Sequence, residues 1–296
     1  MNEKIILSSF LDNFIYSSEE KCAAIDILDR FSTCKEAYEE FINDYYLPFK
    51  NEHSLDFDRL FERIPELAKK AAMEPNELNL LFIQLLAAHS EYHYALKGYS
   101  HELYIENFTD LVWKMRECKK VNGFYGSRTF TWFKGWLFAD RVTLGRLQFE
   151  IINATSEYKS DNYYIKPGKK LVNVHIPEDT RTPFNNENCE KAFSMAREFF
   201  KKDLGDDITF RCSSWLLCPK HNDILPENSN IRRFLNSFEI DMSSCCDSES
   251  DLWRVFYTDK PIEFVAEYPE NTTIQREYKK LLMNGIRLGK ATGYRK

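Results

Sequence analysis

One change of period constrains this chain more than any other feature. Up to about Val121 the apolar residues recur three and four apart, which marks one face of a helix. Beyond the run Asn122-Gly123-Phe124-Tyr125-Gly126 they begin to alternate, which marks a strand with one face buried. A segment patterned for one period does not settle in the other, so the chain reads as α+β. We expect an all-helical N-terminal domain over 1–125 and a mixed α/β domain with a mainly antiparallel sheet over 126–296. The 296 residues suffice for two cores.

In the first part, helices are expected at 19–30 (Cys22, Ile25, Leu28), 34–47 (Ala37, Phe41, Tyr45) and 57–72 (Leu60, Ile64, Leu67), with Pro65 marking a kink or break in the third. Pro75 suits the first position of the next helix, whose inward stripe is Leu78, Leu81, Phe82, Leu85, Leu86 and His89; a last helix covers 101–120. In the second part, strands are expected at 130–138, 143–152, 171–176, 208–217 and 252–257. Helices are expected at 187–203, at 228–238, and from the Thr272/Gln275 capping box to about residue 288. Gly285, Gly289 and Gly293 read as residues that let this last helix stop and pack closely.

With 40 basic and 46 acidic residues the net charge is −6, without long blocks of like charge, which argues against a nucleic-acid partner. The opening MNEKIILSSF lacks the architecture of a signal peptide, and no run approaches the roughly 18 to 20 apolar residues that span a bilayer, so a cytoplasmic protein without a membrane partner is expected. The eight cysteines then read as reduced, mostly core residues. No metal is expected: Cys212, Cys218, His221, Cys245 and Cys246 lack a paired CxxC spacing, and between His89 and His93 a serine follows the first histidine where a zinc protease needs glutamate.

Chemistry concentrates on two strands. Along 143–152, alternation separates Leu147, Phe149 and Ile151 from Arg146, Gln148 and Glu150; along 171–176 it separates Val172, Val174 and Ile176 from Asn173 and His175. If the strands are hairpin neighbours, Gln148, Glu150, Asn173 and His175 converge on one polar patch. A carboxylate beside an imidazole on a rigid surface is what a general base near neutral pH requires, so Glu150 and His175 are the candidate catalytic pair. A solvated sheet face would show the same alternation. No GxSxG, P-loop or dinucleotide fingerprint occurs.

Four motifs carry a resemblance. Leu144-Gly145-Arg146-Leu147-Gln148-Phe149-Glu150, His175-Ile176-Pro177, Ser214-Trp215-Leu216-Leu217 with Pro219, and Ser229-Asn230-Ile231 with Phe234 together resemble a bacterial family of acyltransferase domain-containing proteins. That family is similar to a helical N-acyltransferase N-terminal domain joined to a GNAT-like C-terminal domain. The resemblance implies that acyl-CoA is the co-substrate and a small-molecule amine the acceptor. It also implies a gap between the strands at 171–176 and 208–217 that admits the pantetheine arm, and a pyrophosphate-facing helix at 187–203. On this reading Ile176, Arg181 and Asn186 bind the CoA, while Arg146, Gln148, Asn173, Ser214, Trp215 and Asn230 bind substrate. Trp215 is expected to be buried.

One departure supports a second hypothesis. The loop 177–188 (PEDTRTPFNNEN) has no glycine and begins with Glu178 and Asp179, whereas a pyrophosphate is usually cradled by glycine-rich backbone at a helix N-terminus. The expected function is therefore a GNAT-type N-acyltransferase, with a non-catalytic GNAT-like module that binds a small ligand or a protein as the alternative.

Overall fold

The computed structural model describes residues 2–296, which divide into two compact units, one ending at Val142 and one running from Thr143 to Lys296. The first unit is helical: α1 (Asn2–Asp12), α2 (Ser18–Thr33), α3 (Lys35–Phe41), α4 (Leu47–Glu52), α5 (Phe57–Ala71), α6 (Pro75–Ala87), α7 (Glu91–Leu96), α8 (His101–Phe108), α9 (Asp110–Asn122) and α10 (Lys134–Leu137). A π-helical turn, Ile42–Tyr46, joins α3 to α4. Pro75 opens α6 as expected, but the stripe is wider than expected. Every residue from Leu78 to Ala87 is buried, because Leu80, Ile83 and Ala87 are apolar on the faces left over, and α6 is the central element touched by α1, α2, α5 and α9. Its buried amides find partners: Asn79 donates to the Ser127 carbonyl at 2.9 Å and Gln84 to the Tyr16 hydroxyl at 3.2 Å.

One expectation is narrowed here and another fails. Of the kink or break expected at Pro65, the break does not occur: α5 runs through the proline, which sits on the exposed side, where the carbonyl it leaves without a partner can meet water, while Leu60, Ile64, Leu67 and Ala68 stay buried. Residues 130–138 are not a strand but a 3-10 turn, Thr131–Phe133, followed by α10. Phe130, Phe133, Trp136 and Leu137 are buried in the helical core and lie three and four apart, so the helical period was present beneath an apparent alternation of aromatics.

β1 (Arg141–Leu144) straddles the division, and the second unit adds β2 (Leu147–Asn153), β3 (Tyr158–Lys159), β4 (Tyr164–Ile165), β5 (Lys170–His175), α11 (Asn186–Leu204), β6 (Phe210–Ser214), α12 (His221–Ile224), α13 (Asn230–Leu235), β7 (Glu239–Asp247), α14 (Leu252–Phe256), α15 (Thr273–Met283) and β8 (Gly289–Arg295). Six strands form one sheet in the order β1-β2-β5-β6-β8-β7, and β3-β4 form a separate hairpin. Within the sheet β5 and β6 run parallel, while β2–β5, β6–β8 and β7–β8 are antiparallel. Its apolar face meets α11: the Phe193 ring lies 6.0 Å from Phe149 and 5.0 Å from Phe210. Asn185 caps this helix, and Gly205 ends it.

Four sequence readings are corrected. The strand expected over 143–152 is cut by a turn at Gly145, whose φ of 62° a side chain would resist. The segment at 252–257 is the helix α14. The strands β7 and β8 were not expected. Finally, α15 has the capping box but stops at Met283, and Gly289 and Gly293 belong to β8, where a Cβ on Gly289 would lie 1.7 Å from the Cys246 carbonyl oxygen.

All eight cysteines are free. Among the described residues no cluster of three or more histidines, cysteines and carboxylates could hold a metal, and no helix is long and apolar enough to cross a membrane. His221 is a structural histidine. Its Nε2–H donates to the Trp215 carbonyl at 2.9 Å, and its Nδ1 is buried without a hydrogen-bond partner among the described residues. Burial pushes its pKa down to about 4, against the carbonyl contact, which raises it. The unfolded chain therefore takes up this proton first as pH falls, and stability should decline between about pH 6.5 and 4, by roughly 3 kcal/mol at most from this group. Chemical denaturation at pH 7 and 5 should show a smaller pH effect in His221→Gln than in the parent; equal effects would contradict the assignment.

Candidate active site

The antiparallel register of β2 and β5 sets Gln148 opposite His175 and Glu150 opposite Asn173, so the four side chains share one face of the sheet. Glu150 Oε1 and His175 Nε2 are 2.6 Å apart, with about 18% and 17% of the side chains exposed. Asn173 Nδ2 lies 3.2 Å from the same Glu150 oxygen and 3.0 Å from His175 Nε2. The parallel partner of Asn173 on β6 is Arg211, whose Nη1 donates to Asn173 Oδ1 at 3.1 Å. Arg211 was not singled out in the sequence. Its signal was the alternation of Phe210 and Cys212 with Arg211 and Ser213, which puts the arginine on the polar face.

Gln148 is almost completely buried, and its Oε1 has no hydrogen-bond partner among the described residues. An unmet acceptor of that kind costs about 1 to 3 kcal/mol, so it marks a place where a donor from outside the protein would be welcome.

The strands β5 and β6 pair only through Val172, Asn173 and Val174 with Phe210, Arg211 and Cys212. The ladder between the two parallel strands thus ends beside His175, the last residue of β5.

The remaining candidates lie elsewhere. Arg146 is not on the polar face of β2 but in the turn before it; its Nη1 donates to the Pro177 carbonyl at 2.8 Å and its guanidinium stands 5.3 Å from the centre of the Phe184 ring. Ile176 follows β5 directly and is half-buried. Asn186 and Asn230 line a shallow cleft with Cys189 and Phe234 at the start of α11. The hydroxyl of Ser214 accepts from the Leu216 N–H at 3.2 Å, closing the turn after β6. Trp215 is half-buried rather than buried, with its ring 5.7 Å from His221.

In the loop before α11, Arg181 is fastened to Asp179: its Nη2 donates to Oδ2 at 2.6 Å and its backbone N–H to Oδ1 at 2.7 Å. Glu178 accepts from the Tyr257 hydroxyl at 2.5 Å. The charge of Asp179 is therefore compensated within the loop. Burial pushes the thiol pKa of Cys212 up to about 12 and that of Cys189 to about 11, so neither is a thiolate near neutral pH.

Residues 142–295 match the family described as the GNAT-like C-terminal domain. No curated protein is a significant match to the chain. Among solved structures, an acyltransferase in complex with decanoyl-CoA shares 20% identity and a TM-score of 0.63, over 78% of this chain and 67% of that one. An acyltransferase mutant in complex with octanoyl-CoA shares 19% identity and a TM-score of 0.66, over 92% and 87%. An acyltransferase in complex with CoA and 10C-teicoplanin shares 20% identity and a TM-score of 0.64, again over 92% and 87%. At these identities the likeness is one of fold.

Proposed function

The chain belongs to the family of the GNAT-like C-terminal domain, and from that premise we propose that it is an N-acyltransferase that moves an acyl group from acyl-CoA to an amine. The observation that carries the proposal is the Glu150–His175 contact of 2.6 Å at the end of the β5–β6 ladder. The space beyond that end receives the pantetheine arm, and the pair receives the proton. A neutral amine attacks the thioester carbonyl, the C–N bond forms, the C–S bond breaks, and the amine proton passes to the pair as the CoA thiolate leaves. Glu150 holds the imidazole and stabilises its charged form, while the ring accepts the proton. With Cys189 and Cys212 held as thiols, transfer goes directly from CoA to the amine without an acyl-enzyme.

Arg181 and Asn186 are proposed to meet the CoA pyrophosphate, and the Asp179–Arg181 pairing removes part of the repulsion that the acidic loop would otherwise exert. Asn185 already accepts from the Asn188 N–H, which takes up one of the helix donors an anion would use. That observation, together with the glycine-free loop, favours the second reading: a ligand- or protein-binding module without CoA.

The fold neighbours crystallised with octanoyl-CoA and decanoyl-CoA name the first compounds to try. Melting the protein with each acyl-CoA at 100 times its dissociation constant should show about 2.7 kcal/mol of added stability. An unchanged melting curve with octanoyl-CoA, decanoyl-CoA and CoA at millimolar concentration would favour the binding module.

A further inference from the structure

A guanidinium carries only donors, so the Asn173 atom that faces Arg211 must be the oxygen, and the amide cannot turn over without losing that contact. The amide nitrogen is thereby committed to the other side, towards Glu150 and His175. His175 Nε2 lies between two groups with opposite demands. Glu150 Oε1 at 2.6 Å calls for a proton on the ring nitrogen, and the amide nitrogen at 3.0 Å calls for a lone pair there. An amide hydrogen given to Glu150 instead favours the ionised carboxylate, and an ionised carboxylate accepts from Nε2–H.

We propose that Arg211 and Asn173 are positioning residues. Arg211 locks the Asn173 amide, and the locked amide, by donating to Glu150, keeps the carboxylate ionised and fixes the His175 proton on Nε2. This rests on the acyl-transfer reading of the pair. It assigns Asn173 to the pair rather than to the substrate, and it gives a role to an arginine that the reaction itself does not touch.

The test uses Asn173→Leu, which removes the N–H donated to Glu150 without placing a second carboxylate beside His175. The turnover number for amide formation should fall about tenfold, the worth of one hydrogen bond to a charged group, with KM for both substrates unchanged, and the acidic limb of the pH–rate profile should move to higher pH. Ring 15N NMR of the parent should show His175 protonated on Nε2. Arg211→Gln can offer an acceptor to the Asn173 amide and so let it turn over; it should show the same loss and the same displaced limb, whereas Arg211→Lys, a donor only, should keep the parent profile. Parent-like turnover and pH profile in Asn173→Leu would overturn the proposal. So would an Nδ1-protonated ring in the parent, or a raised KM with unchanged turnover, which would mean that the amide touches substrate. If Asn173→Leu does not fold, the Arg211 pair decides, and identical profiles in Arg211→Gln and Arg211→Lys would refute the lock. If the parent transfers no acyl group, the acyl-transfer reading fails, and the ring signal of the parent alone decides where the His175 proton sits.

Discussion

Glu150→Gln should lower the rate of amide formation about 100-fold or more while leaving the melting temperature close to the parent's. Glutamine keeps the shape of the side chain and can still accept from His175, but it has no charge with which to hold an imidazolium. Because Glu150 stands at the edge of the fold's interior rather than within the apolar core, water and Asn173 can meet the new amide, and little stability should be lost. His175→Ala should cost a similar factor. The double variant should cost little more than either single one, since the two side chains act as one unit. A variant that keeps its rate but melts far below the parent would make Glu150 a structural carboxylate, and the proposed chemistry would go with it.

Gly289→Val should be the most damaging of the glycine substitutions. A Cβ there would fall 1.7 Å from the Cys246 carbonyl oxygen and 3.0 Å from the Asp247 Cα, both backbone atoms of β7, next to the irregular register between Asp241 and Cys246. Backbone cannot rotate aside as a side chain can, so β7 and β8 would have to separate, at a cost of about 4 kcal/mol or more. Gly168→Ala is the control. Unlike Gly289 it has positive φ, at 85°, and nothing lies within 4 Å of its Cβ position, so only the conformational penalty of roughly 1 to 2 kcal/mol applies. Denaturant midpoints of the two variants measure the difference; a Gly289→Val protein with the parent's midpoint would mean that β7 and β8 are not paired as described.

These strands also show where the sequence was opaque. Parity along 147–152 and 171–176 was enough to bring Gln148, Glu150, Asn173 and His175 to one face, because alternation in a strand is a consequence of backbone geometry and survives any tertiary context. Arg146 was misplaced by the same argument, since the alternation was carried one residue past Gly145, and only the positive φ of that glycine ends the strand. The edge strand β7, EIDMSSCCD, alternates only as far as Met242 before the run SSCCD and is largely exposed. In β8 the glycines at 289 and 293 look like breakers, yet they are there to let β7 and Phe238 come close. Such close approaches are made by residues far away in sequence, so no local pattern announces them. Arg211 was hidden differently: a single arginine in a short strand has no meaning until β5 is known to lie beside it.

The central claim is that the Glu150–His175 pair serves acyl transfer to nitrogen. The most direct measurement is mass spectrometry of the products after the protein is incubated with octanoyl-CoA and a mixture of amines. The account predicts a new octanoyl amide, formed with release of one CoA per amide and reduced about 100-fold or more in the Glu150→Gln protein. Amide formation at the same rate in Glu150→Gln and parent, or none with a parent protein that binds octanoyl-CoA, would contradict it.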